Sequence, residues 1–223
     1  MGFLNTILGI VFPAKCVSCG KSGEDLCLLC VAGAPPAERE TANWIFPLFD
    51  YRHPPIKKAL WLLKYQGKKR LAGNFAEVLH GKIMEELSEL SILENFREPI
   101  FIPIPLSSKR FKERGYNQAE LICKELIKIN NIRHGVDIKN KFRLEKNILI
   151  KPEETEHQAH IENRKKRLEN ILGSFSIKNA AQIKNRNIIL IDDITTTGAT
   201  LNEARKILKQ AGARKVIAFT VAH

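Results

Sequence analysis

Apolar and polar positions follow a strand-then-helix grammar that is clearest near the C-terminus. Ile188 to Ile191 is an unbroken apolar run, the mark of a strand buried on both faces. Leu201 to Ala211 has helical periodicity and is closed by Gly212, and Val216 to Val221 is a second apolar run. Strand, helix and strand in that order predict a βαβ unit with parallel strands and a right-handed crossover. Upstream, Ala76, Leu79, Ile83, Leu87 and Leu90 predict an amphipathic helix over 74–90. Ala119, Ile122, Cys123 and Leu126 predict another, with Cys123 on its apolar face as a core thiol. Ile56 to Lys64 follows Pro54-Pro55, a good helix start. Trp44 to Tyr51 reads as a strand with Pro47 marking an edge, and Pro99 to Leu106 as a short buried strand. A short apolar run at Ile148 to Ile150 precedes a polar, basic stretch whose second half predicts helix to about Ile171. The fold class that emerges is α/β. Residues 1–40 stand apart from this alternation, so the expected division is a small N-terminal domain, 1–40, and a larger one, 41–223.

Charge changes the picture of what binds. The 223 residues carry 36 Lys+Arg against 24 Asp+Glu, a net charge of +12 and a sequence pI near 9.6. Such a balance favours polyanions: nucleic acid, anionic membrane or polyphosphate substrates. A merely well-solvated surface is the alternative. No segment is apolar for long enough to span a bilayer. Phe3 to Phe12 lacks the basic start and cleavage site of a signal peptide and reads as a short amphipathic helix packed on the protein. A peripheral foot on the inner face of the membrane is the other reading; both place the protein in the cytoplasm.

Four of the five cysteines lie between Cys16 and Cys30, as C-x2-C-x7-C-x2-C. Without a secretory signal that spacing points to metal ligation in a reducing compartment. Cys16, Cys19, Cys27 and Cys30 would offer four thiolates with no open position, which is a structural tetrahedral Zn2+ site. Gly20, directly after Cys19, suits the tight knuckle turn. The metal would contribute on the order of 10 kcal/mol to a segment too small to hold itself together. An iron centre and a redox dithiol pair are the alternatives.

The densest chemistry is in IILIDDITTTGAT, Ile188 to Thr200. Four apolar residues bury the strand and deliver Asp192 and Asp193 at its carboxyl end, where open α/β sheets bind ligands. The turn that follows aims successive backbone N–H groups at one point, and the helix N-terminus adds its partial positive charge. Thr196, Thr197 and Thr200 add hydroxyls, Gly198 permits close approach, and Ala199 opens the helix. A phosphate monoester fits that cradle. The adjacent carboxylates would repel phosphate, so they suit ribose hydroxyls, directly or through Mg2+.

This run resembles the signature of type I phosphoribosyltransferases. The resemblance implies a parallel sheet flanked by helices, binding 5-phosphoribosyl 1-pyrophosphate with Mg2+. By it Asp192 and Asp193 hold the ribose hydroxyls and Thr196 through Thr200 the 5-phosphate; Thr195 falls where the family varies. A second ligand-edge segment, PLSSKRFKERGYNQ, places Lys109, Arg110, Lys112 and Arg114 in a loop with Phe111 and Tyr116 interleaved. A mobile arm closing over pyrophosphate or touching nucleic acid is the functional reading, and a solvated loop the plain one.

Taken with CxxCG…CxxC, then LKYQG at Leu63 to Gly67, IPIPL…RGYNQ and IDDITTTGAT, the whole chain is similar to the ComF family of ComFC-type competence proteins. Thr155, Gln158, Arg167 and Asn170 match a further TxxQ-and-basic-helix pattern of that family, although Lys151-Pro152 stands where arginine is expected. The basic cluster Arg164 to Arg167 reads as a solvated helix face or a DNA footprint. The family implies uptake of transforming DNA, with single-stranded DNA, a helicase-like ATPase and other DNA-processing proteins as partners. Three functions stay open: phosphoribosyl transfer, catalysed through Asp192, Asp193 and Arg114; a non-catalytic DNA-binding protein using the pocket as a ligand sensor; and nucleotide salvage, for which no base-recognition segment is visible.

Overall fold

The computed structural model describes residues 14–38, 41–134, 142–151 and 173–223. The expected N-terminal helix, Thr155, Gln158, the basic cluster Arg164 to Arg167 and Asn170 lie outside the described residues.

The elements are α1 (Leu28–Ala32), β1 (Ile45–Phe49), α2 (Pro54–Tyr65), α3 (Leu71–Glu94), β2 (Ile100–Pro103), α4 (Ser108–Arg114) and α5 (Gln118–His134). After these come β3 (Arg143–Leu144), β4 (Leu149–Ile150), β5 (Ser176–Ile177), β6 (Asn187–Ile194), α6 (Ala199–Gln210) and β7 (Lys215–Ala222). Five strands form one sheet in the order β1-β7-β6-β2-β3, and every pairing is parallel. Strands β4 and β5 make a separate antiparallel pair.

The periodicity located these elements well and misjudged their ends. The helix expected over 74–90 runs from Leu71 to Glu94 and stops where Asn95 turns left-handed at φ 51°. Pro54-Pro55 starts α2 as expected, at the positions where a missing N–H costs nothing. Pro47 lies in β1, which is an edge strand pairing only with β7. Cys123 is fully buried on α5, and burial pushes its thiol well above the ordinary value.

Strands β6 and β7 carry the core. Ile188, Ile189, Leu190 and Ile191 are buried, as is every residue of β7 after Lys215. The link β2–α5–β3 moves outward in one direction along the sheet, and β6–α6–β7 moves in the other. Right-handed crossovers in opposite directions put α5 and α6 on opposite faces. The order therefore reverses between β2 and β6, the position at whose carboxyl ends open α/β sheets form a ligand crevice.

The cysteine-bearing segment packs on α3. Asn74 Nδ2 donates to the Leu26 carbonyl at 2.6 Å, and Lys68 pairs with Asp25 at 3.2 Å. Leu26 and Val31 are fully buried in the same apolar cluster as the sheet. Among the described residues, no helix is long and apolar enough to cross a membrane.

Candidate functional site

Both strands flanking the reversal point end in chemistry. β6 delivers Asp192 and Asp193, with Asp192 opposite Thr220 in register and Asp193 among the buried residues. The chain leaves the strand at Thr195, whose N–H donates to the Ala222 carbonyl at 2.9 Å. Thr196, Thr197 and Gly198 then form a bend, and α6 starts at Ala199. Gly198 has φ 71°, and a Cβ there would meet Ile45 Cδ1 at 3.3 Å. Only glycine reaches that conformation without strain, so the bend is tied to this residue. Thr197 Oγ1 accepts from the Ala199 N–H at 3.4 Å, and the Asn202 N–H reaches the Gly198 carbonyl at 2.8 Å. Thr200 lies half-buried in the first turn of α6.

The Thr196 carbonyl accepts from His223 Nε2 at 2.9 Å. That bond ties the bend to the end of β7. Sequence reasoning gave His223 no role, because nothing in an isolated terminal histidine announces a loop contact.

The acid pair is electrostatically tense. Burial, then the charge of Asp193, push the Asp192 carboxyl up to about 8. The Asp193 backbone N–H, which donates to Asp192 Oδ1 at 2.8 Å, and the charges of Lys64 and Arg110 offset this only in part. Asp193 Oδ1 is held by Lys64 Nζ at 2.9 Å, with both side chains largely buried. Lys64 is the residue the sequence reading quoted within a motif but gave no job.

Opposite, at the end of β2, the basic segment differs from expectation. Lys109, Arg110, Lys112 and Arg114 lie on the short helix α4 and not in a loop. Ser107 caps it by accepting from the Arg110 N–H at 3.4 Å, and Gly115 ends it at φ 72°. None of its residues is buried, so no apolar stripe could betray it. Cap and stop, with satisfied backbone, hold it together. Lys109, Arg110 and Lys112 are exposed. Arg114 instead stacks on Tyr65, 5.1 Å from the ring centre, and donates to Gln118 Oε1 at 2.9 Å.

Tyr116 is likewise committed to the fold. Its hydroxyl donates to the Leu63 carbonyl, and Lys69 Nζ lies 4.6 Å over its ring. Of the two interleaved aromatics, Phe111 is the one left open, at 49% exposed. Asn117 closes the arrangement, donating to the Ile104 carbonyl at 2.9 Å and capping α5 through the Ala119 N–H. The segments LKYQG, IPIPL, RGYNQ and IDDITTTGAT, distant in sequence, therefore meet at one crevice.

The second site is the cysteine cluster. The four Sγ atoms of Cys16, Cys19, Cys27 and Cys30 lie within 4.8 Å of one another, and Cys19 and Cys27 are 3.8 Å apart. Zinc–sulfur bonds of about 2.3 Å imply tetrahedron edges of about 3.8 Å, so the donor set fits such an ion. The cluster could hold a metal such as zinc. Gly20 turns left-handed at φ 74° and its N–H reaches the Cys16 carbonyl at 2.9 Å. The Cys27 N–H donates to Cys16 Sγ at 3.4 Å. Burial raises the Cys16 thiol, but such N–H donors outweigh it and bring it down to about 6.

A family model for the phosphoribosyl transferase domain matches residues 112–223. Competence protein ComFC of Streptococcus pneumoniae is 36% identical over 129 residues, covering 58% of this chain and 50% of that one. Competence protein ComFC of Bacillus subtilis is 30% identical over 177 residues, 74% of this chain and 59% of that one. The DNA utilization protein YhgH of Escherichia coli O6:H1 is 24% identical, covering 85% and 74%. The chain thus spans only about half the length of the first of these relatives. Among solved structures, hypoxanthine phosphoribosyl transferase of Trypanosoma cruzi overlays with a TM-score of 0.41 at 11% identity, covering 68% of this chain and 64% of that one.

Two outcomes follow from the geometry. The protein should purify with one zinc per chain, and a thiol-specific mercurial should release it and lower the melting temperature. Recovery of metal-free protein with the same melting temperature after zinc is added back would remove the structural role. For Asp192 the sign is set by the direction of its shift. Its folded pKa, about 8, lies above the unfolded value of about 3.9. Between those limits the folded chain binds the extra proton, so this group's contribution to stability falls as pH rises. Asp192→Asn, which keeps the acceptor for the Asp193 N–H, should melt several degrees above wild type at pH 8 in chelator and show no gain near pH 4. Equal gains at both pH values would contradict the burial argument.

Proposed function

We propose that this chain, which belongs to the phosphoribosyl transferase domain family, binds 5-phosphoribosyl 1-pyrophosphate together with Mg2+ and transfers the phosphoribosyl group to a nitrogen acceptor. The observation that carries the reading is that a glycine-dependent bend opening a helix, an acid pair and a basic helix all follow the carboxyl ends of the neighbouring strands β6 and β2. A 5-phosphate would lie against the amides of Thr196 to Gly198 and the start of α6, where the helix dipole adds to hydrogen bonding. Asp192 and Asp193 would take the ribose hydroxyls. The raised pKa of Asp192 supports this, because burial and then the Asp193 charge outweigh the amide and cations that favour its ionised form. An oxygen-liganded Mg2+ suits such a place and supplies charge neutralisation to the diphosphate.

The reaction breaks the bond from C1 to the diphosphate oxygen and forms one from C1 to the acceptor nitrogen. Its transition state is cationic at the ribose, so positioning and charge stabilisation do most of the work. Arg110, whose field already reaches Asp192, and its neighbours Lys109 and Lys112 would face the departing diphosphate. Arg114 contributes by bracing Tyr65 and Gln118.

A second reading, binding of single-stranded DNA, is favoured by the outer face of α2. Trp61 and Tyr65 are 43% and 57% exposed with ring centres 6.0 Å apart, and Lys58 lies 4.6 Å over the Trp61 ring. Exposed rings beside cations suit bases and backbone together. The relatives named competence proteins make uptake of transforming DNA the proposed setting, in the cytoplasm or at the inner membrane face, with a helicase-like ATPase as the proposed partner.

Mg2+ plus 5-phosphoribosyl 1-pyrophosphate should raise the melting temperature by several degrees, and Asp193→Asn should abolish the shift. A wild-type protein with no shift would end the ligand assignment. Affinity for single-stranded DNA should fall steeply with salt and drop roughly tenfold in Trp61→Ala. Binding indifferent to both would leave the second reading without support.

A further inference from the structure

Lys64 raises a problem that the phosphoribosyl reading leaves open. Its ammonium sits 2.9 Å from Asp193 Oδ1, and the two side chains are only 16% and 11% exposed. A ligand whose ribose hydroxyls need that carboxylate must contend with a resident cation. Removing one partner from a largely buried ion pair is costly unless the freed charge finds a new one. Lys64 is also no mobile surface lysine. It lies in the last turn of α2, between Leu63, whose carbonyl is held by Tyr116, and Tyr65, on which Arg114 stacks. The backbone at Lys64 is thereby held against the end of the basic helix. The unbranched side chain still lets the ammonium move several ångströms by rotamer change alone.

The charge count decides where it goes. With Lys64 paired, Asp193 is neutralised and the site carries no positive charge surplus of its own at that point. A ribose bearing only a 5-phosphate places its anion on the amide bend at α6, remote in role from Lys64. A 1-diphosphate would add several negative charges within reach of the cations of α2 and α4, since the charges of Lys64 and Arg110 already act on Asp192.

Resting on the phosphoribosyl reading of the crevice, we infer that Lys64 is a specificity-determining residue that neutralises Asp193 until a ligand with a 1-diphosphate accepts its ammonium. Ligands that lack the diphosphate, such as ribose 5-phosphate, offer the ammonium no new partner, so their ribose hydroxyls must compete with it for the carboxylate. The residue thus favours the activated donor over its spent forms. Tyr65 and Tyr116 act as positioning residues by holding the end of α2 against α4.

Titration calorimetry of the full chain in Mg2+ buffer tests this with two ligands, 5-phosphoribosyl 1-pyrophosphate and ribose 5-phosphate. Lys64→Gln should bind the diphosphate at least roughly tenfold more weakly, the scale of one lost charge-assisted bond. Its affinity for ribose 5-phosphate should be unchanged or higher. Lys64→Met, which keeps the apolar stem, should show the same selective loss, so a poorly folding glutamine variant does not shelter the idea. Equal weakening of both ligands, or no change in either, overturns the inference while leaving the phosphoribosyl reading intact. Wild-type protein that binds neither ligand removes the reading itself, and the inference with it.

Discussion

Two central strands, β6 and β7, have almost no access to solvent along their length, and this desolvation organises the molecule. A strand buried on both faces must satisfy every backbone group through its neighbours, which β6 does by pairing with β7 on one side and β2 on the other. Only at the carboxyl ends does the ladder run out. There the acid pair of β6 meets the turns that follow the strands. The reversal of strand order between β2 and β6 then parts the two following connections and leaves the space between them for a ligand.

Within that space the electrostatics are unevenly balanced. Asp193 has a resident cation, whereas Asp192 keeps company mainly with another carboxylate and a single backbone amide. Such an arrangement costs stability in the free protein, and unbalanced buried charge of this kind is characteristic of functional sites. The same trade is seen in Arg114, whose Nε is buried without a hydrogen-bond partner while its other nitrogens brace Gln118 and Tyr65.

The sequence was most legible where one strong local signal sufficed. Four apolar residues followed by two acids and a threonine-glycine turn cannot easily be anything but a strand, an edge and a helix start, and β6 through β7 matches. The CxxC pairs were similarly self-contained, and their sulfurs do converge. Legibility failed where the cause lay far away in the chain. The basic segment read as a loop because α4 buries nothing, and only Ser107 and Gly115 hinted at a cap and a stop. The tie of Tyr116 to the Leu63 carbonyl was hidden because it is a tertiary contact. Lys64 went unassigned for the same reason: its partner, Asp193, is on another element and most of the chain apart.

The complete burial of Cys123 gives the molecule an internal clock. Its thiol is shielded by α3 and the sheet and held protonated, so alkylating reagents can reach it only when α5 lifts away. The cluster thiols differ in exposure, and Cys19 is open to solvent. Labelling kinetics of the metal-free chain would therefore begin at Cys19 and end at Cys123. The rate of that last modification reports how often the central layer opens under native conditions, with no denaturant added.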